Sequence, residues 1–230
     1  MQPDPQPIRG IRGYAENAAE LIARYESLTF PYKHEAALHL LPSEPCAAVD
    51  IGAGTGADAA WLAAQGHRVV AVEPTNVFRE YGVAHHRSSL IEWVNDALPR
   101  LEQLTDRKHE FGLVMLTAVR MHLDEQERQD AMPVLASLLA SGGTLVMALR
   151  HGPVPSERTM FQVSAHETVA LAELNGLECI LNVHEQSRLA ANREAGVSWT
   201  RLVFKRNSAT PNPSFKRTRS GRLRRPPRSA

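Results

Sequence analysis

The stretch Ala47-Ala48-Val49-Asp50-Ile51-Gly52-Ala53-Gly54-Thr55-Gly56 limits what this chain can fold into more than any other. Ala47 to Ile51 is a short apolar run, the pattern of a strand buried on both faces of a parallel sheet. The three glycines behind it let the backbone turn sharply and approach a ligand where a Cβ would collide. Ala57 to Gln65 is alanine-rich and helical, and Gly66 stands where a helix C-cap favours a left-handed residue. Arg68 to Val72 reads as a second strand with Glu73 at its C-terminal end. Strand, glycine turn, helix, strand and terminal acid make a βαβ nucleotide site. Its loop amides and helix N-terminus face the ligand, and its carboxylate accepts hydrogen bonds from ribose hydroxyls.

Two cofactors fit this much. Gly52-x-Gly54-x-x-Ala57 satisfies the dinucleotide fingerprint, which leaves NAD open. Asp50, two residues before the first glycine, suits a ligand with an ammonium group and repels a pyrophosphate. The run resembles motif I of the class I S-adenosylmethionine-dependent methyltransferases, Asp/Glu-x-Gly-x-Gly-x-Gly, which holds the methionine half of the cofactor. The resemblance continues after the third strand, Leu90 to Val94, in Asn95-Asp96-Ala97-Leu98-Pro99. There the family places an Asp that bonds the adenine amino group, followed by a backbone amide that reaches the ring. The resemblance implies S-adenosylmethionine as cofactor, held by Asp50, Gly52, Gly54, Gly56, Glu73, Asp96, Ala97 and Thr117.

Phe111 to Leu116 is the fourth strand, and it runs into Thr117-Ala118-Val119-Arg120-Met121-His122-Leu123. In the family the end of this strand borders the transferable methyl group. The Asn/Asp-Pro-Pro-Tyr tetrapeptide of adenine and glutamine N-methyltransferases is missing, and the stretch instead resembles that of small-molecule methyltransferases. His122 and His151, at the ends of strands four and five, are the candidate catalytic bases. Arg120 and Arg150 would suit an anionic acceptor group, and Tyr14 and Tyr25, from helices ahead of the first strand, are candidate lid aromatics. His34 and His39 are five apart and do not share a helix face, so they make no zincin pair. Cys46 opens a buried strand and is not expected to act as a nucleophile. No metal site is expected.

Alternating strands and helices predict an α/β chain: a Rossmann-like three-layer sandwich on a seven-stranded, mostly parallel sheet whose last strand is antiparallel. The domains expected are a flexible lead-in at 1–10, a methyltransferase domain at 11–206 with a helical cap at 11–42, and a disordered basic tail at 207–230. That tail carries seven Lys and Arg and no acid; since the whole chain is +1, residues 1–206 carry −6. An acidic body argues against a fold built around nucleic acid. No apolar run is long enough to span a membrane, and two distant cysteines fit a reducing cytoplasm. The expected function is methyl transfer to O or N of a small-molecule acceptor. A methyltransferase acting on RNA or protein, and an NAD(P)-dependent reductase, are the alternatives; oligomeric state is left open.

Overall fold

Seven strands hydrogen-bond in the order β3-β2-β1-β4-β5-β7-β6 in the computed structural model, which describes residues 13–207. They are β1 (Ala47–Ile51), β2 (Arg68–Val72), β3 (Ile91–Val94), β4 (Phe111–Thr117), β5 (Leu139–His151), β6 (Leu177–Gln186) and β7 (Ser198–Arg206). The pairs among β1 to β5 are all parallel, and β7 runs antiparallel between β5 and β6. The predicted sheet and its antiparallel last strand are therefore found. The lead-in and, beyond Asn207, the basic tail lie outside the described residues.

Period-2 side-chain alternation in the central strands feeds two apolar layers. Val49, Ile51, Val70, Val72, Val114 and Leu116 face α5 (Glu125–Leu138), which supplies Ala131, Met132 and Leu135. Ala48, Val69, Ala71, Leu113 and Met115 face α3 (Ala57–Ala64), which supplies Ala59, Leu62 and Ala63. Small residues on both sides let α3 lie close to the sheet. That closeness fixes where its N-terminus meets the glycine loop.

Ahead of β1, α1 (Ala18–Glu26) packs Leu21 on Phe78 of α4 (Asn76–His85), and Tyr14 and Tyr25 join that small cluster. The rest of the expected helical cap is the single turn α2 (Phe30–Lys33) followed by a 3₁₀ helix over Glu35–Leu40. Pro31 stands in the first helical turn, where its missing N–H costs nothing, so the helix starts before the proline. Phe30 stacks flat on Trp61 of α3, with ring centroids 4.1 Å apart, and ties this segment to the body.

α5 ends at Leu138, and β5 begins at once. Gly142 and Gly143 lie inside a bulge where the pairing with β4 skips from Leu139 to Thr144. A Cβ on Gly143 would sit 3.0 Å from the carbonyl oxygens of both Ala140 and Phe111. A short helix, Ala190–Glu194, lies between β6 and β7.

Candidate functional site

The C-terminal ends of β1, β2, β3, β4 and β5 converge under α1 and α4 on a cavity of about 1520 Å³. Ligand pockets run to about 300–1,000 Å³, so this one has room for a cofactor and a second molecule side by side.

Its floor is the glycine loop. Gly52 has φ of +72°, and a Cβ there would lie 2.4 Å from Val119 Cγ2, so the close approach of β1 and β4 requires glycine. Gly54 N–H donates to Glu73 Oε2 at 2.8 Å, and Thr75 N–H donates to Glu73 Oε1 at 2.8 Å. The acid at the end of β2 thus braces the loop while its remaining lone pairs face the cavity. Burial pushes the Glu73 carboxyl above its usual range, against the pull of the Thr75 and Gly54 amides. Asp96, after β3, accepts from its neighbour Ala97 N–H at 2.8 Å and from Gln103 N–H at 2.7 Å.

Asp50 is left without a full set of partners among the described residues. Its side chain is buried, lines the cavity, and has an oxygen, Oδ2, with no hydrogen-bond partner. Burial first, then the charge of Asp58, pushes its pKa up to about 8. Asp58 keeps its own charge because Lys33 Nζ (2.6 Å) and His34 Nε2 (2.9 Å) hold it from the cap side, outweighing the effect of burial. Thr117 Oγ1, at the end of β4, is a second buried and unpartnered oxygen on the cavity wall.

Opposite the acids the wall changes character. His122 Nδ1 lies 3.0 Å from the carbonyl oxygen of Thr159 and Nε2 lies 2.8 Å from the hydroxyl of Tyr14. A carbonyl only accepts, so Nδ1 carries the proton and Nε2 accepts from Tyr14 O–H. Burial holds the His122 pKa below its ordinary value, which keeps the ring neutral. The guanidinium of Arg158 lies 4.6 Å above the Tyr14 ring, and Arg150 lines the same side.

Asp50, Gly52, Gly54, Glu73, Asp96, Ala97, Thr117, Tyr14, Tyr25, His122 and Arg150 all border this one cavity. Three predicted residues do not. Gly56 is turned away: with φ of +86°, a Cβ there would lie 2.5 Å from the Trp93 ring, so this glycine makes room for a tryptophan. Arg120 is 1 % exposed and points under the sheet, where Nε donates to Thr168 Oγ1 at 2.9 Å and Nη2 lies 3.4 Å from Glu167. Glu167 also takes Arg128, at 2.8 Å, which is why it completes no capping box with Ser164. His151 follows Arg150 on β5, so strand alternation sends the two to opposite faces. Its Nε2 meets Thr200 Oγ1 of β7 at 2.8 Å. The sequence reading missed Arg158, which comes from the loop after β5 with no spacing to betray it. It also missed Lys33 and Asp58, both on the cavity wall.

Residues 48–143 match the methyltransferase domain family. Over that segment, from β1 into β5, the chain resembles the S-adenosylmethionine-dependent methyltransferases. Among solved structures it is similar to the 1,6-didemethyltoxoflavin-N1-methyltransferase of Burkholderia thailandensis, with 16% identity, 84% of each chain covered and a TM-score of 0.66. That protein was solved with bound 1,6-didemethyltoxoflavin and S-adenosylhomocysteine. A TehB-like S-adenosylmethionine-dependent methyltransferase of Corynebacterium glutamicum gives 19% identity and a TM-score of 0.61, over 84% of this chain and 98% of that one. A structure of the Haloferax volcanii Trm112 methyltransferase activator in complex with its partner gives 16% identity and a TM-score of 0.63, over 85% and 98%. No curated protein matches this chain in sequence. Among the described residues, no helix is long and apolar enough to cross a membrane, and no group of three or more His, Cys, Asp or Glu side chains could hold a metal ion.

Proposed function

We propose that this methyltransferase moves a methyl group from S-adenosylmethionine to an oxygen or nitrogen of a small polar acceptor. The observation that carries the reading is Asp50 Oδ2, a buried carboxylate oxygen without a partner at the foot of a glycine loop. An unpaired buried charge costs several kcal/mol, and the ammonium of a methionine moiety would offset that cost. A pyrophosphate at the same place would add a second negative charge, which speaks against the reductase alternative.

The other polar groups fit the rest of such a molecule. Glu73 has lone pairs left for two ribose hydroxyls, and Asp96, oriented by the Ala97 and Gln103 amides, follows β3, where the adenine would lie. The cofactor supplies an electrophilic methyl whose displacement needs alignment more than acid or base strength. The chain's part is to hold the acceptor and take its proton. Tyr14 O–H, hydrogen-bonded to the neutral Nε2 of His122, can receive a proton while passing its own to the imidazole. The 1520 Å³ cavity supports a second ligand of modest size, and the −6 charge of residues 1–206 supports an acceptor other than nucleic acid.

Calorimetry with S-adenosylhomocysteine and with NADH tests the cofactor reading. S-adenosylhomocysteine is expected to bind, and Glu73→Ala to weaken it about tenfold or more, because hydrogen bonds to a charged acceptor are worth about 1.5–3 kcal/mol each. Tight NADH binding with none of S-adenosylhomocysteine would refute it.

A further inference from the structure

Arg150 and Arg158 are two guanidinium groups on one wall of the cavity, on the side of Tyr14 and His122. Neither is in an ion pair among the described residues, whereas Arg107, Arg120, Arg128, Arg188 and Arg201 each meet a carboxylate. Arg158 Nε is buried with no hydrogen-bond acceptor among the described residues. The carboxylate that faces this corner, Glu73, is already held by two backbone amides. Glu157, next along the chain, accepts from Ser156 Oγ.

Two half-buried cations on one wall, without a counter-ion among the described residues, are costly. Burial and then the neighbouring charge of Arg158 both disfavour the charged form of Arg150. The fold nonetheless maintains the pair. Phe161 N–H donates to the carbonyl of Met121 at 2.7 Å, which pins the loop carrying Arg158, and the Tyr14 ring lies under its guanidinium. The surrounding wall includes Met121, Met160 and Trp199, which suit an apolar body attached to a charged head.

We infer that Arg150 and Arg158 form a carboxylate subsite, and that the methyl acceptor is a small organic acid. Guanidinium groups match carboxylates through paired N–H···O bonds. With its carboxylate there, the acceptor presents a second group, a hydroxyl or amine, to Tyr14 and His122. The assignment of acceptor rests on the methyl-transfer reading; the anion site itself does not.

The test is calorimetric titration of the full chain with benzoate and with its uncharged counterpart benzamide, each with and without S-adenosylhomocysteine. Benzoate is expected to bind saturably and at least about tenfold more tightly than benzamide. Arg150→Gln and Arg158→Gln should each weaken benzoate about tenfold while leaving S-adenosylhomocysteine affinity unchanged, which also reports that the variants fold. The comparison of the two probes on the unaltered protein stands even if a variant does not. Benzoate that binds no better than benzamide, or binds both variants undiminished, overturns the carboxylate subsite. Failure of S-adenosylhomocysteine to bind overturns the cofactor reading instead.

Discussion

Asp50→Asn should make the ligand-free protein more stable and its cofactor binding worse, with both effects set by pH. The carboxyl is buried, one of its oxygens has no partner, and its pKa stands at about 8 against an ordinary 3.8. A carboxyl raised in this way contributes stability that is fully present below pH 3.8 and is lost as pH climbs through about 8. Across that window each pH unit costs the native state at most about 1.4 kcal/mol. Water entering an open cavity reduces the total, but even about 2 kcal/mol shifts Tm by about 4–8 °C in a domain of this size. Asparagine does not titrate. The gap between the two proteins should therefore be small near pH 5 and widen by several degrees toward pH 8, with the variant melting higher. Saturating S-adenosylhomocysteine should close the gap, because an ammonium beside Asp50 restores the charged form to its ordinary range. Differential scanning fluorimetry at four or five pH values, with and without ligand, measures all of this. A Tm difference that does not vary with pH, or a variant that binds S-adenosylhomocysteine as tightly as the native chain, would refute the assignment of Asp50 to the ammonium.

Gly56→Ala is expected to cost about 2–4 kcal/mol, read from urea unfolding, because the new Cβ meets the Trp93 ring at 2.5 Å while φ stays positive; an unchanged midpoint would contradict the packing described. His122→Gln should lower kcat by about a hundredfold and leave S-adenosylhomocysteine affinity intact. In the native enzyme, kcat should rise with pH through a midpoint below 6.5, since burial lowers the His122 pKa and the neutral ring accepts the proton. A variant that keeps this acid limb, followed as S-adenosylhomocysteine release with an acceptor found by screening, removes His122 from the reaction.

The sheet was legible because each strand is a run of apolar residues closed by a turn or polar residue, and Ala47 to Ile51 and Arg68 to Val72 match the observed strands residue for residue. The acids were legible for a related reason. A βαβ unit fixes what lies at the end of each strand, so Asp50, Glu73 and Asp96 had only one place to go. What the spacing could not supply is direction. Arg150 and His151 are adjacent, and only the phase of β5 against β7 decides that the arginine faces the cavity and the histidine Thr200. Gly56 looked like its two neighbours, yet the reason for it lies at Trp93, far along the chain. Arg158 rides a loop, where no period carries information.

The position of β7 bears on how the molecule is made. β5 and β6 are separate neighbours of a strand that leaves the ribosome after both of them. Until residues 198–206 emerge, β5 is the edge of a five-stranded sheet, and β6 has no strand to pair with. Both present open backbone to any extended segment nearby. The final strand then threads between two elements already synthesised, forming pairs from Thr144↔Lys205 to His151↔Ser198 on one side and from Leu177↔Arg206 to Gln186↔Ser198 on the other. The growing chain is thus exposed to mispairing from the completion of β5 to that of β7, and a stop codon just before β7 would leave both edges open permanently.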